Sequence, residues 1–146
     1  MIYTSSPDRG GHHAEVIGRT FNYVATYRGT NEVPREELVR LQKSAQALIH
    51  PCDPVRPSEF FGMAVLEAMA AGTPCVISDA DALAEVWGGA ALVLPRPIRY
   101  SRWIDTLDDL LSSPGQWRHM SEVGRQKAQG YSWGKQAGRY LEVATG

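Results

Sequence analysis

The sequence predicts an α/β domain in which a parallel sheet is covered by helices on both faces. Short apolar runs that are typical of strands alternate with helix-like segments over the first two thirds of the chain. These runs are apolar at consecutive positions, as expected for strands buried on both faces of a parallel sheet. With 146 residues and no internal repeat or low-complexity linker, the chain is predicted to form a single domain, residues 1–146.

The elements follow from apolar runs and helical periodicity taken in chain order. Strands are predicted at 2–4, 23–27, 47–50, 75–78 and 91–94. Helices are predicted at 35–46, 62–71, 83–86, 101–111, 114–129 and 133–143, the first of them supported by acids in its first turn. We expect the last three helices to cover one side of the sheet. We also expect the four tryptophans, at positions 87, 103, 117 and 133, to lie in the core.

Composition excludes several classes of function. Fifteen basic and sixteen acidic residues leave a net charge of −1 without a basic block, so a nucleic-acid partner is not expected. No apolar run approaches the ~20 residues that span a bilayer, and no signal-peptide core begins the sequence, so a cytoplasmic location is expected. Cys52 and Cys75 are predicted to be buried free thiols. Adjacent histidines point in different directions, so His12 and His13 are not predicted to bind a metal, and no cofactor is expected.

The predicted helix at 62–71 carries a single charged side chain. It is apolar on every face except at Glu67, and a helix that is apolar all round is expected to be buried. A buried carboxylate without partners costs several kcal/mol or takes up a proton. A polar group is therefore expected to meet Glu67.

A second acid, Glu59, is separated from Glu67 by seven intervening residues and lies just before the helix. The first N–H groups of a helix lack partners within it and attract phosphate. At ~1.5 Å of rise per residue, acids on both sides of that helix start bracket a ligand of nucleotide-sugar length. Two interpretations fit the spacing equally. Either the acids accept hydrogen bonds from sugar hydroxyls, or Glu67 is a structural acid bonded to a neighbouring loop and Glu59 is solvated.

Residues 58–79 read Ser-Glu-Phe-Phe-Gly-Met-Ala-Val-Leu-Glu-Ala-Met-Ala-Ala-Gly-Thr-Pro-Cys-Val-Ile-Ser-Asp. The stretch resembles the Glu-x7-Glu signature of retaining, nucleotide-sugar-dependent glycosyltransferases of the GT-B fold. The resemblance implies a Rossmann-like sheet, the C-terminal half of a GT-B enzyme, in which Glu59 faces the transferred sugar and Glu67 holds the ribose hydroxyls. It also implies that the helix start, at Phe61, Gly62 and Met63, takes the donor diphosphate.

The first ten residues resemble the first strand and loop of the same donor domain, where the family supplies a cation for the diphosphate. On this resemblance Arg9 is the candidate phosphate clamp, beside Gly10, and arginine suits bidentate phosphate recognition. The alternative is an ordinary surface arginine, since Ser-Pro-Asp-Arg-Gly is also typical turn sequence. We therefore predict Arg9 and Glu59 as catalytic residues.

Four further positions complete or depart from the pattern. His50 ends a predicted strand at the ligand edge and is included among the donor-binding residues, although a histidine that only caps the strand is the default interpretation. Phe60 is also included, but it stands where the family has a glycine, which stiffens the loop. Asp81 and Ala82 replace the family's glycine pair, which weakens the expectation of diphosphate contacts there. The predicted donor-binding set is Glu67, Gly10, Phe60, Phe61, Gly62, Met63 and His50.

Two departures concern the whole domain. Only residues 11–22 separate the first loop from the strand at 23–27, so one strand-helix unit is expected to be shortened or missing. The family's acceptor domain is absent from the sequence. We therefore expect a donor-binding domain that recognises a nucleoside-diphosphate sugar and transfers the sugar with retention only when an acceptor domain is supplied. An acceptor-domain protein and a second copy of the chain are its expected partners. The alternative is a non-catalytic nucleotide-sugar or protein-interaction module derived from a glycosyltransferase.

Overall fold

Five parallel strands form one sheet in the computed structural model, which describes residues 1–5, 10–27, 33–52 and 59–145. The spatial order is β2-β1-β3-β4-β5, and every neighbouring pair is parallel. This arrangement confirms the predicted Rossmann-like α/β class. The strands are β1 (Ile2–Ser5), β2 (Val24–Tyr27), β3 (Leu48–His50), β4 (Cys75–Ser78) and β5 (Leu92–Leu94).

Helices alternate with the strands as far as β5, and three more follow it. All six predicted helices are present, with ends that differ by no more than about two residues, which is the ordinary uncertainty of a helix boundary. One helix, α1, was not predicted. The helices are α1 (Gly11–Gly18), α2 (Arg35–Ser44), α3 (Met63–Ala71), α4 (Leu83–Trp87), α5 (Tyr100–Ser112), α6 (Pro114–Gln129) and α7 (Trp133–Thr145).

The unpredicted helix α1 occupies the segment that links β1 to β2. Residues 11–22 contain this one helix and no strand, as expected for a shortened strand-helix unit. Glycine at both ends and two adjacent histidines give the segment little helical propensity, which is why the pattern did not predict a helix. Ala14 and Ile17 are buried against the sheet, so tertiary packing rather than propensity stabilises α1.

Alternate strand residues face two separate hydrophobic clusters. Ile2, Leu48 and Ile77 point to one face, which α3 and α4 cover. Tyr3, Ile49 and Val76 point to the opposite face, which α1 and α5 cover. Because side chains alternate along a strand, burial on both sides requires the continuous apolar runs seen in the sequence.

The three C-terminal helices do not cover one side of the sheet together, so that prediction is wrong. Helix α5 packs on the face of Tyr3, whereas α6 contributes Trp117 to that cluster and Ala128 to the opposite one. Helix α7 has no buried residue. Trp133 is 88% exposed, which contradicts its predicted place in the core, while Trp87 and Trp103 are buried as predicted.

The strand order reverses beside β1, and this places a crevice at one edge of the sheet. Strand β1 pairs with β2 on one side and with β3 on the other, so the loops that follow β1 and β3 diverge there. In open parallel sheets, ligands bind at the carboxyl ends of the strands at such a switch point. Of the predicted site residues that the structure describes, Gly10 follows β1, and His50, Glu59 and the start of α3 lie at or after the end of β3, at this edge.

Because the Cys75 thiol is buried, the stability of the fold is expected to fall as the pH rises in the alkaline range. Cys52 and Cys75 are both buried and neither forms a disulfide bond, as predicted. Burial raises the pKa of the Cys75 thiol above its ordinary value of 9.0, so the folded chain keeps the proton that the unfolded chain releases. The free energy of unfolding that the protonated thiol contributes is fully present below about pH 9. It is lost as the pH rises, at up to about 1.4 kcal/mol per pH unit.

We therefore expect the urea midpoint of the wild type to fall more steeply than that of Cys75→Ala between about pH 8 and about pH 10.5. Other alkaline titrations are common to both proteins, so the difference between the two profiles isolates the thiol. Parallel profiles would contradict the prediction.

Candidate functional site

The N-terminus of α3 lies at the crevice and presents unpaired N–H groups. Gly62 precedes the helix with a φ of 78°, a left-handed conformation that favours glycine. The N–H of Gly62 donates to Glu59 Oε1 at 3.0 Å. In the part of the chain that the structure describes, the N–H groups of Met63, Ala64 and Val65 have no acceptor. Three donors therefore remain at the positive end of the helix dipole.

The carboxylate of Glu59 is held beside this helix start. Its side chain is only 12% exposed, and its Oε2 lies 3.8 Å from Nε2 of the buried His50. The backbone N–H of Glu59 donates to Asp81 Oδ2 at 3.2 Å, which joins the loops that follow β3 and β4. Glu59 is thus a positioned acid and not a solvated loop residue.

Helix α2 supplies the polar partners of Glu67. Arg35 Nη1 lies 2.5 Å from Glu67 Oε1, and Gln42 Nε2 donates to Oε2 at 3.5 Å. The Glu67 side chain is 22% exposed and that of Arg35 is 69% exposed. The expected polar partner is therefore present, and the carboxylate keeps a solvent-facing fraction that can accept further hydrogen bonds.

Helix α3 is buried on one side only, which corrects the expectation that all of it is buried. Met63 is 53% exposed and Ala70 is exposed, whereas Val65, Ala68 and Met69 are fully enclosed. The apolar side chains on its outer face are small or lie at the helix start. The exposed Met63 stands at the crevice, where it can contact a ligand.

The two phenylalanines before α3 have different surroundings. Phe60 is 69% exposed at the crevice. Phe61 packs edge-on against Trp87 and Tyr131, with ring centroids 5.3 Å away in both cases. The carbonyl of Phe61 also accepts a hydrogen bond from Trp87 Nε1. These contacts fix the backbone at the start of α3, so the N–H groups of the helix are held in place before any ligand arrives.

Gly10 brings the loop after β1 against the loop after β3. Its φ is 102°, and a Cβ built on it lies 1.6 Å from the carbonyl oxygen of Pro51. Only glycine permits this approach of two backbones. Gly10 therefore lies at the switch point beside Pro51 and Cys52, and its role in donor binding stays a prediction.

The predicted cation lies outside the described residues. Arg9 belongs to the undescribed stretch 6–9. Two further arginines that could supply a cation, Arg28 and Arg56, belong to the undescribed stretches 28–32 and 53–58. Within the described part of the edge, the charges are those of the acids Glu59, Glu67, Asp79 and Asp81, opposed by Arg35. The clamp role of Arg9 stays a prediction.

Asp81 has a left-handed backbone conformation of the kind that favours glycine. Its φ is 47°, a left-handed value that aspartate tolerates better than most residues. Its carboxylate accepts the N–H of Glu59. The loop after β4 therefore has a left-handed residue at Asp81 and carries a negative charge at the crevice.

The adjacent histidines of α1 lie together, which corrects the expectation that they point in different directions. The ring centroids of His12 and His13 are 3.8 Å apart, and His13 Nδ1 lies 2.9 Å from the Tyr100 hydroxyl. Among the described residues, no group of three or more metal-ligating side chains is present. In that same part of the chain, no helix is both long and apolar enough to cross a membrane.

Comparison with known proteins shows the family to which the chain belongs. The sequence pattern of the family described as Glycosyl transferases group 1 matches residues 25–127, which include Glu59, Glu67 and all of α3. The chain belongs to this family. Its group 1 domain is therefore a glycosyltransferase domain by descent, as the Glu-x7-Glu resemblance predicted.

Curated relatives of the group 1 domain are longer proteins. Over 111 residues it is 35% identical to the D-inositol 3-phosphate glycosyltransferase of Corynebacterium urealyticum, covering 75% of this chain and 25% of that one. It is 36% identical to the MMP alpha-(1->4)-mannosyltransferase of Mycolicibacterium hassiacum, covering 74% and 26%. The chain thus spans about a quarter of the length of these relatives.

A solved structure supports the fold. The crystal structure of WaaG, described as a glycosyltransferase involved in lipopolysaccharide biosynthesis, superposes with a TM-score of 0.65 at 19% identity. The superposition covers 99% of this chain and 38% of WaaG. The match confirms the predicted GT-B type of sheet.

Sequence reasoning missed the groups that hold the acids in place. Arg35 and Gln42 were not connected with Glu67, because their contacts join residues 32 and 25 positions apart. An arginine at the start of a helix, where acids are preferred, was the available signal for Arg35. Trp87 was expected in the core, but its hydrogen bond to the Phe61 carbonyl was not foreseen.

Proposed function

We propose that this domain binds a nucleoside-diphosphate sugar at the N-terminus of α3 and forms the donor half of a retaining glycosyltransferase. One observation carries the proposal. Three N–H groups at a strand switch point have no acceptor among the described residues and are flanked by two positioned carboxylates, those of Glu59 and Glu67. An anion with hydroxyl groups on both sides satisfies the N–H donors and the carboxylate acceptors together.

Each acid has a role that follows from its position. The diphosphate lies against the N–H groups of Met63, Ala64 and Val65. Glu67 accepts hydrogen bonds from the ribose hydroxyls through the part of its carboxylate that Arg35 and Gln42 leave open. Glu59 faces the transferred sugar through the oxygen that does not accept from Gly62.

The reaction breaks the bond between the anomeric carbon and the diphosphate oxygen, and the electron pair leaves with that oxygen. The acceptor hydroxyl adds to the same face of the sugar and loses its proton, so configuration is retained. Negative charge therefore builds on the diphosphate, where oriented N–H groups lower the barrier. Arg9 supplies the compensating cation in this proposal. No residue of this domain is assigned as the base.

The acceptor half is assigned to a separate domain. Helix α7 exposes Trp133, Tyr140 and Leu141 along one side and buries none of its residues. An apolar stripe of this kind is typical of a surface that a further domain or chain covers. The greater length of the curated relatives is consistent with this assignment.

One observation favours a second candidate function. The carboxylate of Asp81 stands where the family pattern has glycine and adds negative charge beside the proposed diphosphate. Like charges a few Å apart oppose binding. A module that kept the sheet and lost donor binding, and that now serves protein interaction, fits this feature.

Calorimetric titration of the purified chain with UDP, GDP and ADP, followed by their sugar conjugates, tests the proposal. We expect one diphosphate to bind with a Kd between micromolar and millimolar, and binding to be lost in Arg9→Ala. Arg118→Ala, an exposed arginine of α6, is the matched control and should bind as the wild type does. Absence of binding for every nucleotide would overturn the donor assignment and favour the interaction module.

A further inference from the structure

A second cavity lies at the beginning of α5, away from the α3 site. Its volume is about 290 Å³, and three arginines line it, Arg96, Arg99 and Arg102, together with Leu94 and Trp103. Helix α5 packs on the face of the sheet occupied by Tyr3, whereas α3 packs on the opposite face. The two sites therefore share the strand edge but not their side chains.

Among the described residues, no carboxylate compensates the positive charge of this cavity. All three arginines are exposed, and none has a carboxylate partner within ion-pair distance among the described residues. The first turn of α5 contains no acid, and Arg99 at its N-cap makes no side-chain cap. Cations at the positive end of a helix dipole are unfavourable, and a bound anion relieves them.

A buried donor points to the same kind of ligand. Trp103 lines the cavity and is only 1% exposed, and its Nε1–H has no acceptor in the described part of the chain. A buried donor without a partner costs about 1–3 kcal/mol. An acceptor oxygen that enters the cavity and reaches this N–H would satisfy it. The opening turn of α5 therefore carries both positive charge and an N–H donor that one anion with acceptor oxygens can answer.

We propose that this cavity binds a phosphate group. Two or more guanidinium groups contact the phosphate oxygens in bidentate fashion, with the Trp103 N–H and the first N–H groups of α5 as further donors. The inference goes beyond donor binding, because none of these residues belongs to the α3 site. A phosphorylated small molecule and a phosphate-bearing lipid headgroup both offer this chemistry.

NMR of the tryptophan indole N–H groups tests the proposal on the full chain. The Trp103 signal is assigned by its loss in Trp103→Phe. We expect inorganic phosphate to shift this signal saturably and sodium chloride of equal ionic strength not to do so. The double variant Arg99→Gln/Arg102→Gln should weaken the apparent affinity at least tenfold, and Arg118→Gln should leave it unchanged.

Three experiments distinguish a phosphate site at α5 from a general salt effect and from the donor site, and one source of phosphate from another. A Trp103 shift that sodium chloride reproduces, or that survives in the double variant, would overturn the proposal. Glu67→Ala should keep the full phosphate response, so failure of donor binding and failure of this site are distinguishable. Sedimentation with phosphatidylcholine vesicles that contain phosphatidic acid identifies the source: binding lost in the double variant assigns a lipid headgroup, and no binding assigns a soluble phosphate.

The double variant also gives a check on folding. Removing two uncompensated cations from a helix N-terminus should leave Tm unchanged or raise it. Phosphate should raise Tm of the wild type by mass action and should not raise that of the double variant. An equal rise in both proteins would contradict a site at the beginning of α5.

Discussion

Replacing Glu67 with alanine is expected to weaken binding of the nucleoside diphosphate at least tenfold while the chain stays folded. Hydrogen bonds to a charged group contribute about 1.5–3 kcal/mol, and a loss of 1.4 kcal/mol is tenfold in Kd. The Arg35 pair contributes little to stability because Arg35 is 69% exposed, and such pairs are worth about 0–1 kcal/mol. Calorimetry measures the Kd, and urea unfolding measures the stability.

Two matched variants distinguish a binding acid from a structural one. Glu37→Ala removes an acid that pairs with Arg40 on the exposed side of α2 and should leave the Kd unchanged. Arg35→Ala removes the partner of Glu67 and keeps the carboxylate, so it should retain most of the affinity. If Arg35→Ala loses as much binding as Glu67→Ala, or if Glu67→Ala unfolds, Glu67 is a structural acid.

Replacing Gly10 with alanine is expected to destabilise the fold by about 3 kcal/mol or more. The φ of 102° is strained for any residue with a side chain, and the new Cβ would meet the Pro51 carbonyl oxygen at 1.6 Å. The atoms that this Cβ would meet belong to the backbone of Pro51 and Cys52, so no flexible side chain can move aside. The loops after β1 and β3 would have to separate, which also opens the proposed donor site.

Chemical denaturation checks this second prediction against a glycine in open space. A Cβ at Gly115, in the first turn of α6, meets nothing within 4 Å. Gly115→Ala should therefore be neutral or stabilising, by no more than about 1 kcal/mol. If Gly10→Ala is as stable as Gly115→Ala, the two loops do not meet as the structure places them.

Local sequence patterns predicted the strands well, for a physical reason. Strands buried on both faces need apolar residues at every position, and runs such as Cys75–Ser78 leave few other interpretations. Helix α1 was missed because its propensity is poor and its stability comes from burial of Ala14 and Ile17. Helix α7 shows the opposite case, since its amphipathic pattern predicts a helix but not what covers its apolar side.

The candidate site could be predicted only in part. The positions of Glu59 and Glu67 followed from a helix with one acid and from the family resemblance. Their partners could not be predicted, because Arg35 and Asp81 approach them across loops whose paths depend on the whole fold. The uncompensated arginines at α5 were overlooked because exposed charges are usually solvated and carry no periodic signal.

Amide NMR of the chain during titration with the best-binding nucleoside diphosphate tests the central assignment most directly. The account predicts that the largest shifts fall on Met63, Ala64 and Val65, whose N–H groups have no acceptor in the described part of the chain, and on the neighbouring Gly62. Largest shifts at the start of α5 would place the diphosphate in the second cavity. That result, or the absence of any shift at the start of α3, would contradict the proposed donor site.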